Sequence, residues 1–117
     1  MSRVKIAIPT KGDKGLDDYV SDVFSRAEKF TVVDVVNGSI TKVEVVDNPA
    51  RTYEHGAGPI VVKMLADMGV TAVGSKRFGV GVSVLLEHNG IRMFSLENQV
   101  IVKNAVQKIL ESIQSPE

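Results

Sequence analysis

Five short runs of β-branched and aliphatic residues along the chain predict β-strands. These runs are bounded by Pro, Gly or Asn and span residues 4–8, 30–36, 40–46, 70–73 and 91–94. We expect the first strand to stop at Pro9. Asn37 and Gly38, between the second and third strands, favour a type I′ hairpin because both turn residues need positive φ. Val43 and Val45 alternate with polar residues, so one face of the third strand is expected to be buried.

Apolar residues at spacings of three and four predict three helices. The stripe of the first helix consists of Ile60, Val61, Met64, Leu65 and Met68. Pro59 suits its first position and Gly69 its end. A second helix is marked by Val82, Leu85 and Leu86 and closed by Gly90. The last helix has its stripe at Val102, Ala105, Val106, Ile109, Leu110 and Ile113. A short turn or helix is also expected within residues 19–27.

The order of these elements, β-β-β-α-β-α-β-α, predicts an α/β fold with one mixed sheet. The first three strands form an antiparallel meander, and the later βαβ units give parallel neighbours through right-handed crossovers. A five-stranded sheet in the order 3-2-1-4-5, covered by the helices, satisfies both conditions. The chain has 117 residues and no visible linker or repeat, so we expect a single domain over residues 1–117.

Composition excludes several classes of function. Lys+Arg and Asp+Glu both number 14, so no overall charge draws the chain to nucleic acid or to a membrane. The absence of cysteine excludes disulfides, zinc–thiolate sites and thiol catalysis. No stretch approaches the roughly 20 apolar residues of a membrane span, and we expect a cytoplasmic protein. Neither a P-loop, a Ser/His/Asp arrangement nor a carboxylate set for two metal ions is visible, so we do not expect an enzyme.

Three loops are expected to open at one edge of the predicted sheet. They follow strands 1, 3 and 4 and span residues 10–18, 47–58 and 74–79. Strand order also reverses beside strand 1, and ligands of open α/β sheets collect in such crevices. This edge is therefore the candidate binding site.

The segment His55-Gly56-Ala57-Gly58, just before Pro59, has the strongest signal for a ligand. Its glycines let the backbone approach a ligand closely. The helix that follows offers free N–H groups and the positive end of a dipole, while His55 supplies a donor or a metal ligand. Together these features suit an anionic or metal-containing ligand. The alternative is a glycine-rich start of a helix with one surface histidine.

Basic side chains occur in the other two loops. Lys76 and Arg77 lie ahead of the second helix, where two cations form an anion pocket, and Lys11 and Gly12 follow strand 1. We expect these four residues to bind the same ligand as residues 55–58. The alternative for Lys76 and Arg77 is a solvated basic turn. The acidic residues of the first loop are expected to be solvated: Asp13, Asp17 and Asp18.

An ordered set of segments, covering nearly the whole chain, resembles the dinitrogenase iron–molybdenum cofactor biosynthesis family and its small stand-alone members. The segments are Lys5-Ile6-Ala7-Ile8-Pro9, Val20-Ser21-Asp22-Val23-Phe24-Ser25-Arg26-Ala27, Phe30, Asn48-Pro49, His55-Gly56-Ala57-Gly58-Pro59, Gly69-Val70 and Gly90-Ile91. The resemblance implies a ribonuclease-H-like, three-layer fold. It also implies binding or carriage of a metal–sulfur cofactor, and some members hold molybdenum-containing sulfide clusters without covalent attachment.

Two departures from the family pattern shape the expected site. Members often carry His and Gly where this chain has Val23 and Ser25, and the cysteine that some members use has no counterpart here. Soft metals prefer thiolates, so a pre-formed anionic thiometallate, which brings its own sulfides, suits this chain better than a bare metal ion. His55 is the one candidate metal ligand, with backbone N–H groups and Lys76 or Arg77 completing the site.

We therefore expect a binding or carrier protein for a non-covalently held iron–molybdenum or molybdenum-sulfide cluster, with a role in cluster assembly. Purified protein is expected to have lost some or all of its cluster. The alternatives are a module for another small anion and a protein-interaction domain without a small ligand. The expected partner is a cofactor-assembly or acceptor protein, not nucleic acid or a membrane. A monomer or weak homodimer is expected, since Lys42 and Glu44 on strand 3 disfavour pairing of its exposed edge.

Overall fold

A computed structural model describes residues 2–97 and 100–114 and confirms the predicted α/β fold. The remainder of the predicted 1–117 domain, at residues 1, 98–99 and 115–117, lies outside the described residues. The strands are β1 (Arg3–Thr10), β2 (Lys29–Val36), β3 (Ser39–Asp47), β4 (Ala72–Ser75) and β5 (Arg92–Ser95). The helices are α1 (Ala57–Asp67), α2 (Val80–His88) and α3 (Val102–Gln114), with a short 3₁₀ turn at Gly15–Asp17.

The five strands form one mixed sheet in the predicted order β3-β2-β1-β4-β5. β2 runs antiparallel to both β1 and β3, whereas β4 runs parallel to β1 and β5 runs parallel to β4. Asn37 and Gly38 have φ angles of 51° and 82°, so both residues of the β2–β3 turn have the positive φ that was predicted.

Helices cover both faces of the sheet, which makes three layers. Side chains alternate along β1, so Ala7 joins one core while Ile6 and Ile8 join the other. The first core packs the sheet against α1 and α2 and includes Val61, Val62, Leu65 and Leu86. The second packs it against α3 and includes Val102, Ala105, Val106 and Ile109. In the part of the chain that the structure describes, no helix has the length and apolar character of a membrane span.

The prediction that β1 stops at Pro9 is wrong, because Pro9 pairs with Phe30 inside the strand. The Pro9 carbonyl accepts the Ser21 N–H at 2.7 Å, on the side of β1 that faces away from β2. The nitrogen and the carbonyl of a strand residue point to the same side, so the N–H that proline lacks is not needed for pairing with β2. The parallel partner β4 pairs only with Ile6 and Ala7, and its ladder ends before Pro9.

The prediction that one face of β3 is buried is also wrong. Val43 is 37% exposed and Val45 is only partly buried. β3 lies at the edge of the sheet, where the two helix layers cover it incompletely. Among the described residues of β3, the cores receive only Val46, and that residue is partly buried.

Several predicted boundaries shift by a few residues. α1 begins at Ala57, not at Pro59, because Gly56 turns the chain with a φ of 77°. Pro59 still lies in the first turn, where an N–H has no intrahelical acceptor. On the predicted stripe Ile60 is 38% exposed, and Val62 is buried instead. β4 starts and ends two residues later than predicted, so the loop after β4 shrinks from the predicted residues 74–79 to residues 76–79.

The short turn or helix predicted within residues 19–27 is a turn: the Ala27 N–H donates to the Phe24 carbonyl at 3.2 Å, across Ser25 and Arg26. Tyr19 and Val20 form isolated bridges with Ile101 and Thr10. The Val20 N–H donates to the Val100 carbonyl at 2.9 Å. These pairings hold the start of the segment extended across the end of β1.

Candidate functional site

The loops that follow β1, β3 and β4 open at one edge of the sheet, as the topology predicts. These three strands run in the same direction, so their carboxyl ends lie together. Residues 19–27 reach the same edge, because Ser21 is bonded to Pro9 near the end of β1. Four segments therefore surround the candidate site, one more than the sequence indicated.

Asp18 organises the loop after β1. Its side chain is 8% exposed, so the prediction that it is solvated is wrong. Oδ2 accepts the Gly12 N–H at 3.1 Å, and Oδ1 accepts the Tyr19 N–H at 2.9 Å. A buried carboxylate is favourable when backbone donors of a turn are directed at it. Gly12 thus donates its N–H within the protein, and a side chain there would lie 3.0 Å from Asp18. Lys11 is exposed.

Asn48 fixes the loop after β3. It is fully buried, and its Nδ2 donates to the carbonyls of Ser25 and Ala27, both at 2.8 Å. Its Oδ1 accepts the Ala50 N–H at 2.9 Å. One side chain therefore ties the loop after β3 to residues 25–27. His55, later in the same loop, is exposed.

The amino ends of α1 and α2 lie side by side at this edge. A Cβ atom at Gly58 would lie 2.9 Å from Cγ2 of Val82, so the glycine permits close contact between the two helices. This packing role accounts for Gly58 without a ligand. Ala57 is buried, which leaves only its backbone to face a ligand. Both helices follow a glycine, Gly56 or Gly79, so no side chain at that position caps their first N–H groups.

A lysine of the loop after β4 pairs with a carboxylate of residues 19–27. Lys76 Nζ donates to Asp22 Oδ1 at 2.6 Å, and only 13% of the Lys76 side chain is exposed. The hydrogen bond from Lys76 is the main cause that lowers the pKa of Asp22 below its ordinary 3.8. The charges of Lys11 and Arg77 lower this pKa further, while partial desolvation opposes the shift. The structure therefore places one predicted site residue, Lys76, in direct contact with Asp22, and Arg77 follows it in the same loop.

A shallow pocket of about 290 Å³ opens beside these cations, between residues 22–26 and 77–79. Phe24 and Phe78 line it, with ring centroids 5.2 Å apart, and Phe30 packs edge-on to Phe24 at 5.3 Å. Arg26 adds an exposed guanidinium to the lining. The pocket thus combines an aromatic floor with a basic rim.

Sequence reasoning missed Asp22, Arg26 and the aromatic floor as parts of the site. Asp22, Phe24 and Arg26 belong to residues 19–27, for which the sequence predicted only a short turn or helix and a resemblance to a family, and Phe78 follows Lys76 and Arg77. A usable signal was present in the composition, since Phe24 and Arg26 lie among Ser and Asp residues just before the second predicted strand. Direct metal binding has less support: the described residues contain no group of three or more His, Cys, Asp or Glu side chains placed to hold a metal ion.

Comparisons with known proteins agree with one another. The family model described as Dinitrogenase iron-molybdenum cofactor matches residues 2–112. An uncharacterized protein of Methanocaldococcus jannaschii is 30% identical over 108 residues, which cover 92% of this chain and 86% of the relative. The apo form of the orange protein from Desulfovibrio gigas superposes with a TM-score of 0.81 at 34% identity, over 92% of this chain and 88% of that one. A Thermotoga protein described as a candidate NifB protein gives a TM-score of 0.76 at 33% identity, with the same two coverages.

Proposed function

We propose, since the chain belongs to the dinitrogenase iron-molybdenum cofactor family, that it binds and carries an anionic metal–sulfur cofactor at this edge of the sheet. The observation that carries the proposal is the Lys76–Asp22 ion pair beside an open pocket that Arg26 and Arg77 line. Like charges repel, so neighbouring cations at this edge favour a negatively charged occupant.

The donors at the edge suit a cluster that brings its own sulfide ligands. The chain has no cysteine, and its described part has no carboxylate or histidine group that would hold a bare metal ion. Ammonium, guanidinium and backbone N–H groups bind the outer atoms of an anion instead. The cluster is therefore a cargo held without covalent attachment, which permits its later release.

Each part of the edge has a role in this proposal. Lys76 and Arg77 neutralise the charge of the cargo, and the ring faces of Phe24 and Phe78 pack against its polarizable sulfides. The first N–H groups of α1 and α2 add the positive ends of two helix dipoles. His55, exposed just before α1, donates a hydrogen bond or ligates a metal at the rim.

A carrier passes its cargo to an acceptor protein. Exposed apolar side chains near the pocket provide a surface on which such a partner can dock. Val80 at the start of α2 is 87% exposed, Val84 is 51% exposed, and Val23 beside the pocket is 47% exposed. Apolar residues around a polar site are typical of surfaces that dock another protein. This observation also favours the second candidate function, a protein-interaction domain with no small ligand.

Titration with tetrathiomolybdate, followed by absorbance, tests the proposal. Wild type is expected to bind, and Lys76→Ala/Arg77→Ala is expected to bind at least tenfold more weakly, since two charge-assisted contacts of about 1.5–3 kcal/mol each are lost. Lys103→Ala/Lys108→Ala removes two exposed cations from α3 and serves as the matched control. His55→Ala measures how much His55 contributes to the binding affinity. Wild-type affinity is expected to fall as salt screens the charges.

Equal binding by wild type and both double variants would remove this edge from consideration. Absence of binding by the wild type would favour the protein-interaction function. Tight binding of inorganic phosphate with the same dependence on Lys76 and Arg77, without binding of thiomolybdate, would instead indicate a module for another small anion.

A further inference from the structure

Asp22 and Lys76 form an ion pair at the centre of the proposed site, and the two side chains differ greatly in exposure. The Nζ···Oδ1 distance is 2.6 Å. The Lys76 side chain is 13% exposed, whereas that of Asp22 is 75% exposed. The cation is therefore held in place by its surroundings, while the carboxylate reaches it from the solvent side.

The Asp22 carboxylate lies on the solvent side of Lys76. Lys11 and Arg77 act on it electrostatically in addition to Lys76. Asp22 and Arg77 also line the same pocket. An anion that enters the pocket meets a negative charge that already pairs with the least exposed of these cations, and the like charge repels it.

We propose that Asp22 is an internal counter-ion that competes with the anionic cargo for Lys76, so that loading requires displacement of the carboxylate. This inference rests on the proposed function, because it concerns the same site. In the free protein, Asp22 keeps a nearly buried cation paired, which avoids the cost of a buried charge without a partner. In the loaded protein, the cargo pairs with Lys76 and the carboxylate turns to solvent.

The backbone on both sides of Asp22 is anchored by bonds that do not involve the ion pair. Before it, the Ser21 N–H donates to the Pro9 carbonyl at 2.7 Å. After it, Asn48 Nδ2 donates to the Ala27 carbonyl at 2.8 Å. Displacement therefore requires only rotation of the Asp22 side chain, and Asp22→Asn is expected to leave this segment folded.

Competition of this kind sets a threshold for occupancy. The contacts of a weakly held ion such as chloride do not offset the loss of the Asp22–Lys76 hydrogen bond, so abundant small anions do not occupy the site. A thiometallate makes several contacts at once, with Lys76, Arg77 and the aromatic floor, and exceeds the threshold. Asp22 thus lowers the affinity of every occupant, so that only an anion with several contacts fills the site.

Two probes of the same tetrahedral shape but different charge test displacement. Tetrathiomolybdate is a dianion and tetrathioperrhenate is a monoanion, and each is titrated by absorbance into wild type, Asp22→Asn and Asp67→Asn. Asp67 is the matched control, since it is an exposed aspartate that pairs with Lys63 at 3.2 Å at the far end of α1. A displaced carboxylate imposes the same cost on either probe. Asp22→Asn is therefore expected to bind both anions more tightly by a similar factor, about fivefold for a partly exposed pair, with Asp67→Asn unchanged.

Other outcomes overturn the inference in distinguishable ways. A charge that stays in place repels a dianion about twice as strongly as a monoanion, so a clearly larger gain for the dianion would mean that Asp22 is not displaced. Equal or weaker binding by Asp22→Asn would mean that the ion pair only supports the fold. In both cases binding by wild type preserves the proposed function. If none of the three proteins binds either anion, the proposed function fails and this inference fails with it. The carboxyl ¹³C signal of Asp22 is an independent readout: it is expected to shift when wild type is loaded, and an unchanged signal contradicts displacement.

Discussion

Two buried polar side chains, Asn48 and Asp18, give the loops around the site their shape. Each accepts or donates several hydrogen bonds to backbone groups that would otherwise lack partners. Both are polar residues that would ordinarily be expected on the surface. Their burial follows from the turns that they close, and these turns depend on contacts between distant parts of the chain. Composition alone therefore could not predict their role.

Asn48→Ala is expected to lower the free energy of unfolding by roughly 2–4 kcal/mol. The substitution leaves the carbonyls of Ser25 and Ala27 and the Ala50 N–H buried without partners, and each such group costs about 1–3 kcal/mol before relaxation. Urea denaturation measures the loss. Asn104→Ala, at an exposed position of α3, is the control and should change stability little. A loss no larger than that of the control would contradict the role assigned to Asn48.

The elements of the fold were predicted from the sequence more completely than the site was. Runs of β-branched and aliphatic residues predicted the five strands, apolar spacings of three and four predicted the three helices, and the order of these elements predicted the strand order. Errors arose where an element's surroundings decide the outcome: the edge position of β3 exposes Val43. Pro9 remains in a strand because its nitrogen points away from β2.

Close contact between α1 and α2 is expected to depend on Gly58. Gly58→Ala places a methyl group 2.9 Å from Val82, which is itself buried, and overpacking of this kind costs about 1–3 kcal/mol. Gly81→Ala on α2 meets no atom within 4 Å and is expected to stabilise the protein by about 0.5–1 kcal/mol through helix propensity. Urea denaturation compares the two. Val82→Ala should remove the steric clash of the Gly58→Ala variant and restore part of its stability. A Gly58→Ala protein as stable as the Gly81→Ala protein would contradict the close contact of the two helices.

The β2–β3 ladder ends in an ion pair that gives stability a defined pH dependence. Lys29 Nζ lies 2.5 Å from Asp47 Oδ1. Their hydrogen bond is the main cause that lowers the pKa of Asp47 below 3.8 and raises that of Lys29 above 10.5. A lowered carboxyl pKa gives stability that is present above pH 3.8 and is lost as pH falls through the folded value. A raised lysine pKa gives stability that is lost as pH rises through its folded value.

Asp47→Asn is therefore expected to lower Tm at pH 7, and its difference from wild type should shrink as pH falls below 3.8. Calorimetry across this range measures the difference. Asp17→Asn removes a surface charge in the loop after β1 and controls for the change in net charge. A difference in Tm that stays constant from pH 7 to pH 2 would contradict the assignment to the ion pair.

At the scale of the whole molecule, the topology brings together residues that are far apart in sequence. Asp22 and Lys76 are separated by 54 residues, and Asn48 and Ser25 by 23. The sequence predicted the edge where the loops meet, because strand direction follows from element order. It did not predict which side chains touch there, since ion pairs across loops leave no periodic signal. Lys76 and Arg77 were found by their charge, whereas Asp22 was found only in the structure.

Elemental analysis and a visible spectrum, recorded on protein isolated anaerobically from its own host, test the central claim most directly. We predict molybdenum, iron or both, together with inorganic sulfide, in a fixed ratio to protein and with a visible absorption band. The Lys76→Ala/Arg77→Ala protein isolated in the same way is expected to lose metal and colour. Colourless, metal-free wild-type protein, or equal metal content in the two proteins, would contradict a metal–sulfur cargo at this edge.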